Sequence, residues 1–400
     1  METRQPPKTL LGLVAIAAVA LALAGCTSVT PDSQAKGDAS SPAASSPAAS
    51  SPAASSPAAS SPAASSPNPE ASTGASAPCY EQQPRKDCSN ADFSGANLSN
   101  KDLSGVHFYK ANLATADLSG ANLSGARLNM ANLEQAKLPR ANLRAAQMDG
   151  TRLTYADLTG ADLRGAKGTA PDFTEANFTN ADMSDFFYVD GANFTKATLT
   201  GVKVGPTVFD NAQLDGVISG NINGSSMVLP NNWTLVSGNL IGPGAHLVGA
   251  NLASAGLNGL NMTRVLSWDS DLSQANLRGA NLTGSRWWNA NMAGVDLTGA
   301  KLDGAIFSCS DGRPDDCDKK MNLSRANLSN VTGGLYLVKV DLTGADLTGA
   351  VFDGVGQFDG VDLTGSKVDG VKWGNTIFRD TTCPDGTSKP NYSNTYPCTP

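Results

Sequence analysis

The seven cysteines are the residues of this sequence whose spacing best suits covalent chemistry. Cys26 ends an apolar N-terminal stretch, whereas the other six lie in three close pairs. These pairs are Cys79 with Cys88, Cys309 with Cys317, and Cys383 with Cys398. Many pairings are formally open, but the clustering favours three local disulfides in an oxidising compartment. Zinc is the competing interpretation, yet the chain has no C-x-x-C pair and only two histidines, His107 and His246. We therefore predict disulfides, and neither a metal nor another cofactor.

The residues around Cys26 have the features of an export and lipidation signal. Arg4 and Lys8 precede an apolar run, residues 9–24, which is shorter than the roughly 20 residues of a membrane-spanning helix. The run ends in Leu-Ala-Gly-Cys at residues 23–26, which resembles the cleavage sites of bacterial lipoproteins. The resemblance implies that residues 1–25 are a signal peptide and that Cys26 carries lipid. The protein would then be exported and anchored to the outer face of the cell membrane. An uncleaved anchor or a structural Cys26 is the alternative.

Residues 26–78 consist mainly of Ser, Pro and Ala, with tandem SSPAA units. Such a composition provides no side chains for a hydrophobic core. We predict that this segment is a lipidated N-terminus followed by a disordered linker.

The remaining sequence offers no catalytic constellation. The two histidines lie far apart, and no G-x-S-x-G or Walker A string is present. The many aspartates recur at one position of a short repeat, so the repeat itself accounts for them. We predict that the protein is not an enzyme.

Two pairs of side chains are candidates for a binding surface. Trp268 and Trp288 are twenty residues apart, as are Arg144 and Arg164, and the two indoles are expected to stack on one exposed face. Aligned aromatic rings bind sugars or partner chains, and aligned guanidinium groups suit an anionic wall polymer. The plainer alternatives are that the indoles shield a coil underfilled at Ser267, and that the arginines belong to a solvated face.

A period of five residues positions all of these side chains. In residues 111–128 every fifth residue is Leu, and an Ala precedes each Leu by two positions. At about 100° per residue a helix would scatter these leucines around its axis, and in a straight strand successive ones would face opposite sides. The chain must therefore turn once per repeat, with Ala and Leu inside and Asn, Asp, Ser and Thr outside.

This pattern resembles the pentapeptide-repeat family, whose consensus is A-(D/N)-L-x-x. The resemblance covers roughly residues 91–378. It implies an all-β fold, a right-handed quadrilateral β-helix with four repeats per coil. A solenoid exposes unpaired backbone at its ends, so the terminal disulfide loops are expected to cap them. We expect the β-helix over residues 79–382 and a C-terminal disulfide cap over residues 383–400.

Irregularities in the repeat predict local departures from the regular coil. Gly168 occupies a position that should hold a large inward residue, and the spacing between Tyr188 and Phe194 is six, which predicts a bulge. The pattern fades near residues 217–249, and the loop 309–317 interrupts it. We interpret these as irregular coils of one rod, with two joined rods as the alternative.

Charge and export signal together suggest a function. The chain has a formal net charge of −7, which argues against nonspecific nucleic-acid binding. The predicted protein is a membrane-anchored lipoprotein that presents a rigid β-helical rod as a protein- or cell-wall-binding scaffold in the bacterial envelope. Some cytoplasmic pentapeptide-repeat proteins mimic DNA and bind a topoisomerase, which is the alternative. The export signal and the disulfides argue against it, and the partner and oligomeric state stay open.

Overall fold

The computed structural model describes residues 78–82, 86–185, 187–209, 211–224, 227–309, 320–389 and 396–398. All of them belong to one compact unit, Ser65–Pro400. The signal peptide, Cys26, the linker and Cys317 lie outside the described residues.

Each five-residue repeat buries two side chains and turns one corner. Ala111 and Leu113 are 1% and 0% exposed, while Asn112 between them lies at the surface. The residue two places after the inward Leu has positive φ, as at Thr115 with φ 58°. A residue in this left-handed region turns the backbone sharply, so the next repeat starts a new face.

Successive coils are joined by backbone hydrogen bonds between residues about twenty apart. The Leu113 amide donates to the Asn132 carbonyl at 2.7 Å, and the Asn112 amide donates to the Ala91 carbonyl at 2.9 Å. The same two hydrogen bonds recur in most repeats, so parallel bridges between the outward residues of adjacent coils form each wall of the β-helix. The predicted quadrilateral β-helix is confirmed.

The described part contains one short 3₁₀ helix, Cys79–Glu81, and otherwise strands and turns. The strands are β1 (Lys167–Thr169), β2 (Asp182–Met183), β3 (Tyr188–Asp190), β4 (Thr198–Thr200), β5 (Lys203–Val204), β6 (Thr207–Val208), β7 (Ile218–Gly220), β8 (Met227–Val228), β9 (Thr234–Val236), β10 (Asn239–Ile241), β11 (His246–Val248), β12 (Leu266–Trp268), β13 (Arg286–Trp288), β14 (Ala305–Ser308), β15 (Met321–Asn322), β16 (Leu335–Val338), β17 (Val340–Asp341), β18 (Val355–Asp359), β19 (Asn375–Arg379), β20 (Thr381–Thr382) and β21 (Ser388–Lys389).

Two faces of the β-helix hold the candidate binding residues. The four-strand face consists of β1, β3, β6 and β8, and is extended toward the N-terminus by isolated bridges from Asp87 through Gln147 to Lys167. The nine-strand face runs in spatial order β4, β7, β11, β12, β13, β14, β16, β18 and β19, all parallel.

The four-strand face ends near the middle of the helix, where the repeat pattern fades. Strands β9 and β10 form an antiparallel hairpin there, with positive φ at Ser237 and Gly238 in its two-residue turn. The nine-strand face continues past this point, because β7 pairs with β11. Trp233 packs against the hydrophobic clusters on both sides, so apolar contact continues through the irregular coil.

Disulfides fasten both ends of the helix. Cys79 bonds to Cys88, and Cys383 bonds to Cys398. At the C-terminal end the Tyr396 ring stacks on Trp373, with centroids 4.5 Å apart. Both terminal pairings predicted from the sequence are confirmed. Cys309 is also disulfide-bonded, and its predicted partner is among the residues left undescribed.

Candidate functional site

The outward aspartates accept hydrogen bonds from the turns of the β-helix. Asp117 is typical: its carboxylate accepts the Ser119 amide at 3.0 Å. Hydrogen bonds from the Ser119 hydroxyl and amide lower the pKa of Asp117, because they stabilise the charged carboxylate. These groups are therefore committed to local structure. Across the described residues, no three His, Cys, Asp or Glu side chains form a group able to hold a metal ion.

The two histidines lie on different faces and do not form a pair. His107 is on the four-strand face, bridged to Arg127. His246 is on the nine-strand face, and desolvation by burial lowers its pKa. Its ring meets Trp268 edge-on, with centroids 6.4 Å apart. His246 is thus a neutral member of an aromatic row.

Trp268 and Trp288 occupy equivalent positions on adjacent strands, as their spacing predicts. Their rings stack with centroids 4.4 Å apart and planes inclined by 21°. Trp288 is only 7% exposed, so the expectation of two exposed rings was wrong for it. Each indole covers one face of the other, and Trp288 keeps almost no open face on which a sugar could stack.

Below this stack the coil is filled by polar contacts. The inward residue is Ser267, whose hydroxyl lies 2.5 Å from that of Ser270 and donates to the Leu247 carbonyl at 3.1 Å. This geometry favours the interpretation that the indoles shield an underfilled coil.

The outward side chains of the nine-strand face change character along the helix. Toward the N-terminus the row that precedes the inward residues consists of Asn97, Asp117, Lys137, Asp157 and Asn177. Toward the C-terminus the same row consists of Ile218, His246, Leu266, Arg286, Ile306, Tyr336, Gln357 and Ile377. A neighbouring row includes Val248, which is 51% exposed. The face therefore changes from wholly polar to mainly apolar.

Arg144 and Arg164 both contact one carboxylate, that of Asp162, and Arg164 also lies 4.0 Å from Asp182. Arg164 donates to both oxygens of Asp162, at 2.9 and 2.6 Å, and Arg144 Nη1 lies 3.7 Å from Asp162 Oδ2. The guanidinium of Arg164 lowers the pKa of Asp162. The two arginines are brought together as their spacing implies, but in an ion-pair cluster.

A shallow depression lies on the four-strand face at the level of Gly168. It has a volume of about 160 Å³, and its lining residues are Gln147, Asp149, Lys167, Gly168, Thr169 and Tyr188. Gly168 is the inward residue of β1, and a Cβ there would lie 2.7 Å from the Met148 carbonyl carbon and oxygen. The missing large residue at Gly168 was the only sequence signal for this site.

The six-residue step in the repeat places Tyr188 at the surface. The six-residue spacing from Tyr188 to Phe194 predicts an inward Tyr188, and this prediction is wrong. Phe187 and Val189 are 0% exposed, whereas Tyr188 is 46% exposed. The step therefore lies between Met183 and Val189, one repeat earlier than expected, and turns an aromatic ring outward beside the depression.

Among the described residues, no apolar helix reaches the length needed to span a membrane. No curated protein matches this sequence.

Several solved structures are similar to parts of the chain. A trypsin-treated form of QnrB1, a plasmid-mediated fluoroquinolone resistance protein, is 17% identical, covering 52% of this chain and 86% of its own with a TM-score of 0.30. HetL, a pentapeptide repeat protein involved in heterocyst differentiation regulation in Nostoc sp. strain PCC 7120, is 23% identical, covering 75% and 92% with a TM-score of 0.20. A pentapeptide repeat protein from the Arabidopsis thaliana thylakoid lumen is 30% identical, covering 30% and 63% with a TM-score of 0.12.

These scores are low, so the assignment depends on the repeats themselves. The family model for pentapeptide repeats matches 8 copies in residues 87–125, 116–154, 146–185 and 270–308. The described coils give each of these repeats the same inward pair and the same corner. Residues 87–185 and 270–308 are therefore pentapeptide repeats of this family.

Proposed function

We propose that this protein is a non-enzymatic lipoprotein that displays its β-helix as a binding scaffold in the bacterial envelope. The observation that carries the proposal is the pair of disulfides that fasten the two ends, Cys79–Cys88 and Cys383–Cys398. Disulfides persist in oxidising compartments. Together with the lipoprotein-like Cys26, they favour an exported protein tethered by its N-terminus.

The geometry also supports a binding role over a catalytic one. Asp117 and its equivalents are held by turn hydrogen bonds, and Asp162 is held by Arg144 and Arg164. A general base needs a carboxylate or imidazole free to take a proton from substrate. A β-helix with regular walls instead offers long rows of outward side chains to a protein or a wall polymer.

Cell fractionation tests the location. The full chain with its own signal would be expressed in a bacterium, labelled with a fatty acid and separated into membrane and soluble fractions. We expect labelled protein in the membrane fraction, and loss of both label and membrane association in the Cys26→Ser variant. Non-reducing electrophoresis should give a faster-migrating band than reducing electrophoresis. A cytosolic, unlipidated and reduced protein would overturn the proposal and favour the topoisomerase-binding alternative.

A further inference from the structure

We propose that the depression at Gly168 on the four-strand face is a binding site for a sugar unit of a neutral, N-acetylated glycan. The proposal specifies a ligand for the binding role proposed above. It rests on that role only for the cellular location at which the protein would encounter the glycan. Three outward side chains define the site: Gln147, Lys167 and Tyr188 follow one another on adjacent coils.

The floor of the site is backbone. A Cβ at Gly168 would meet the Met148 carbonyl, so the coils approach too closely there for any other residue. The resulting depression of about 160 Å³ has the volume of about five water molecules. A small polar ring that filled this volume would contact the row of Gln147, Lys167 and Tyr188. It would also contact the neighbouring row of Asp149 and Thr169.

The walls hold hydrogen-bonding groups that the fold leaves unused. Among the described residues, the side chains of Gln147, Lys167 and Tyr188 have no hydrogen-bond or ion-pair partner. The Thr169 hydroxyl has none there either, although its backbone amide donates to Asp149 at 2.8 Å. In several other coils the corresponding hydroxyl is committed to the turn, as where the Thr159 amide and hydroxyl both donate to Asp157. The depression is thus a place where outward polar groups are available to a ligand.

The types of these groups fit an N-acetylated sugar. The Gln147 amide provides both donor and acceptor groups, the combination that an acetamido group requires. The Tyr188 ring is 46% exposed and combines an apolar face with a hydroxyl, which suits a ring bearing both C–H and O–H groups. Lys167 donates to hydroxyl oxygens.

The charge balance argues against a phosphate or another strong anion. Asp149 lies on the same rim as Lys167, so the site carries one positive and one negative side chain. The Asp149 carboxylate accepts hydrogen bonds from the Asn129 side-chain amide and from the Thr169 backbone amide, which hold it in place. A neutral ligand avoids repulsion from it.

Titration calorimetry on the full mature chain, in a detergent without a sugar headgroup, tests the proposal. The probes are the N-acetylglucosamine trisaccharide, maltotriose and inorganic phosphate, each to about 10 mM, because weak single-site binding falls in the millimolar range. We expect the N-acetylated trisaccharide to bind and to bind more tightly than maltotriose.

Two variants locate the binding. Tyr188→Ala and Gln147→Ala should each weaken the trisaccharide at least about tenfold, with unchanged circular dichroism because both side chains point outward. Tyr155→Ala is the matched control: Tyr155 is 52% exposed but does not line the depression, so affinity should not change. The proposal is overturned if the trisaccharide does not bind, if both variants bind as tightly as the parent, or if only phosphate binds. Because the assay uses purified protein, its result does not depend on whether the protein is exported to the envelope.

Discussion

The indole rings of Trp268 and Trp288 stack face to face, with centroids 4.4 Å apart. This contact lies on the outside of the β-helix, yet it leaves Trp288 almost wholly buried. The two rings pack against each other on the outer wall. They lie above a coil whose inward residue is only a serine, Ser267. Its primary effect should therefore be on stability.

Replacing Trp268 by Ala should destabilise the protein by about 2–4 kcal/mol, because burial and ring contact are both lost. The measurement is urea unfolding followed by circular dichroism, together with the near-ultraviolet signal of the coupled indoles, which should disappear. Trp268→Phe keeps a stacked ring and should lose less stability. Unchanged stability with lost binding to wall glycan would instead assign the pair to a ligand site.

Replacing Gly168 by Ala should destabilise the helix by about 1–3 kcal/mol. The new methyl would lie 2.7 Å from the Met148 backbone, which pairing with the neighbouring coils holds in place. Gly256→Ala is the matched control, because nothing lies within 4 Å of a Cβ there and its φ is not positive. Equal unfolding midpoints for the two variants would show that the close approach at Gly168 is unimportant.

The sequence predicted the inward residues because burial in a turning chain depends only on the five-residue period. It could not predict the exposure of Trp288 or the pairing of Arg144 with Asp162, since both depend on side chains one coil away. The sequence indicated the hairpin of β9 and β10 only through the loss of the five-residue pattern near residues 217–249. Tyr188 was misplaced because a six-residue step can lie in either of two neighbouring repeats, and periodicity alone does not choose between them.

Tyr396 should titrate abnormally in the folded protein. Its hydroxyl is buried with no hydrogen-bond partner in the described structure, and desolvation, with a smaller contribution from Asp385, raises its pKa to about 12. The unfolded chain ionises near 10.0, so the docked ring contributes stability that is full below pH 10. That stability is lost as the pH rises toward 12. Absorbance at the tyrosinate band against pH measures the shift.

The disulfide Cys383–Cys398 should be what holds Tyr396 on Trp373. It closes a loop with a sequence separation of 15, for which the chain-entropy model gives about 3 kcal/mol. The double variant Cys383→Ser, Cys398→Ser should unfold at lower temperature and lose the high-pH tyrosine transition. Removing Cys79 and Cys88 instead is the control, since it should lower stability and leave that transition in place. Retention of the transition in the first variant would mean that the ring docks without the bond.

Acid should destabilise the β-helix through the aspartates that support its turns. Hydrogen bonds from the Ser or Thr two residues further on are the largest cause of a lowered pKa at five of them, Asp92, Asp102, Asp117, Asp271 and Asp346. A lowered pKa means that the carboxylate is stabilised by folding. This contribution is present above the unfolded value of 3.8 and is lost as the pH falls below it.

Changing these five aspartates to Asn isolates the effect. An Asn oxygen still accepts the turn amide, as Asn122 accepts that of Ser124 at 3.2 Å, but it does not titrate. The fivefold variant should therefore fold at neutral pH and lose less unfolding free energy than the parent between pH 5 and pH 3. Urea midpoints across that range give the comparison. Parallel curves for the two proteins would mean that the turn carboxylates do not cause the acid sensitivity, leaving ion pairs such as Arg164 with Asp162 as its source.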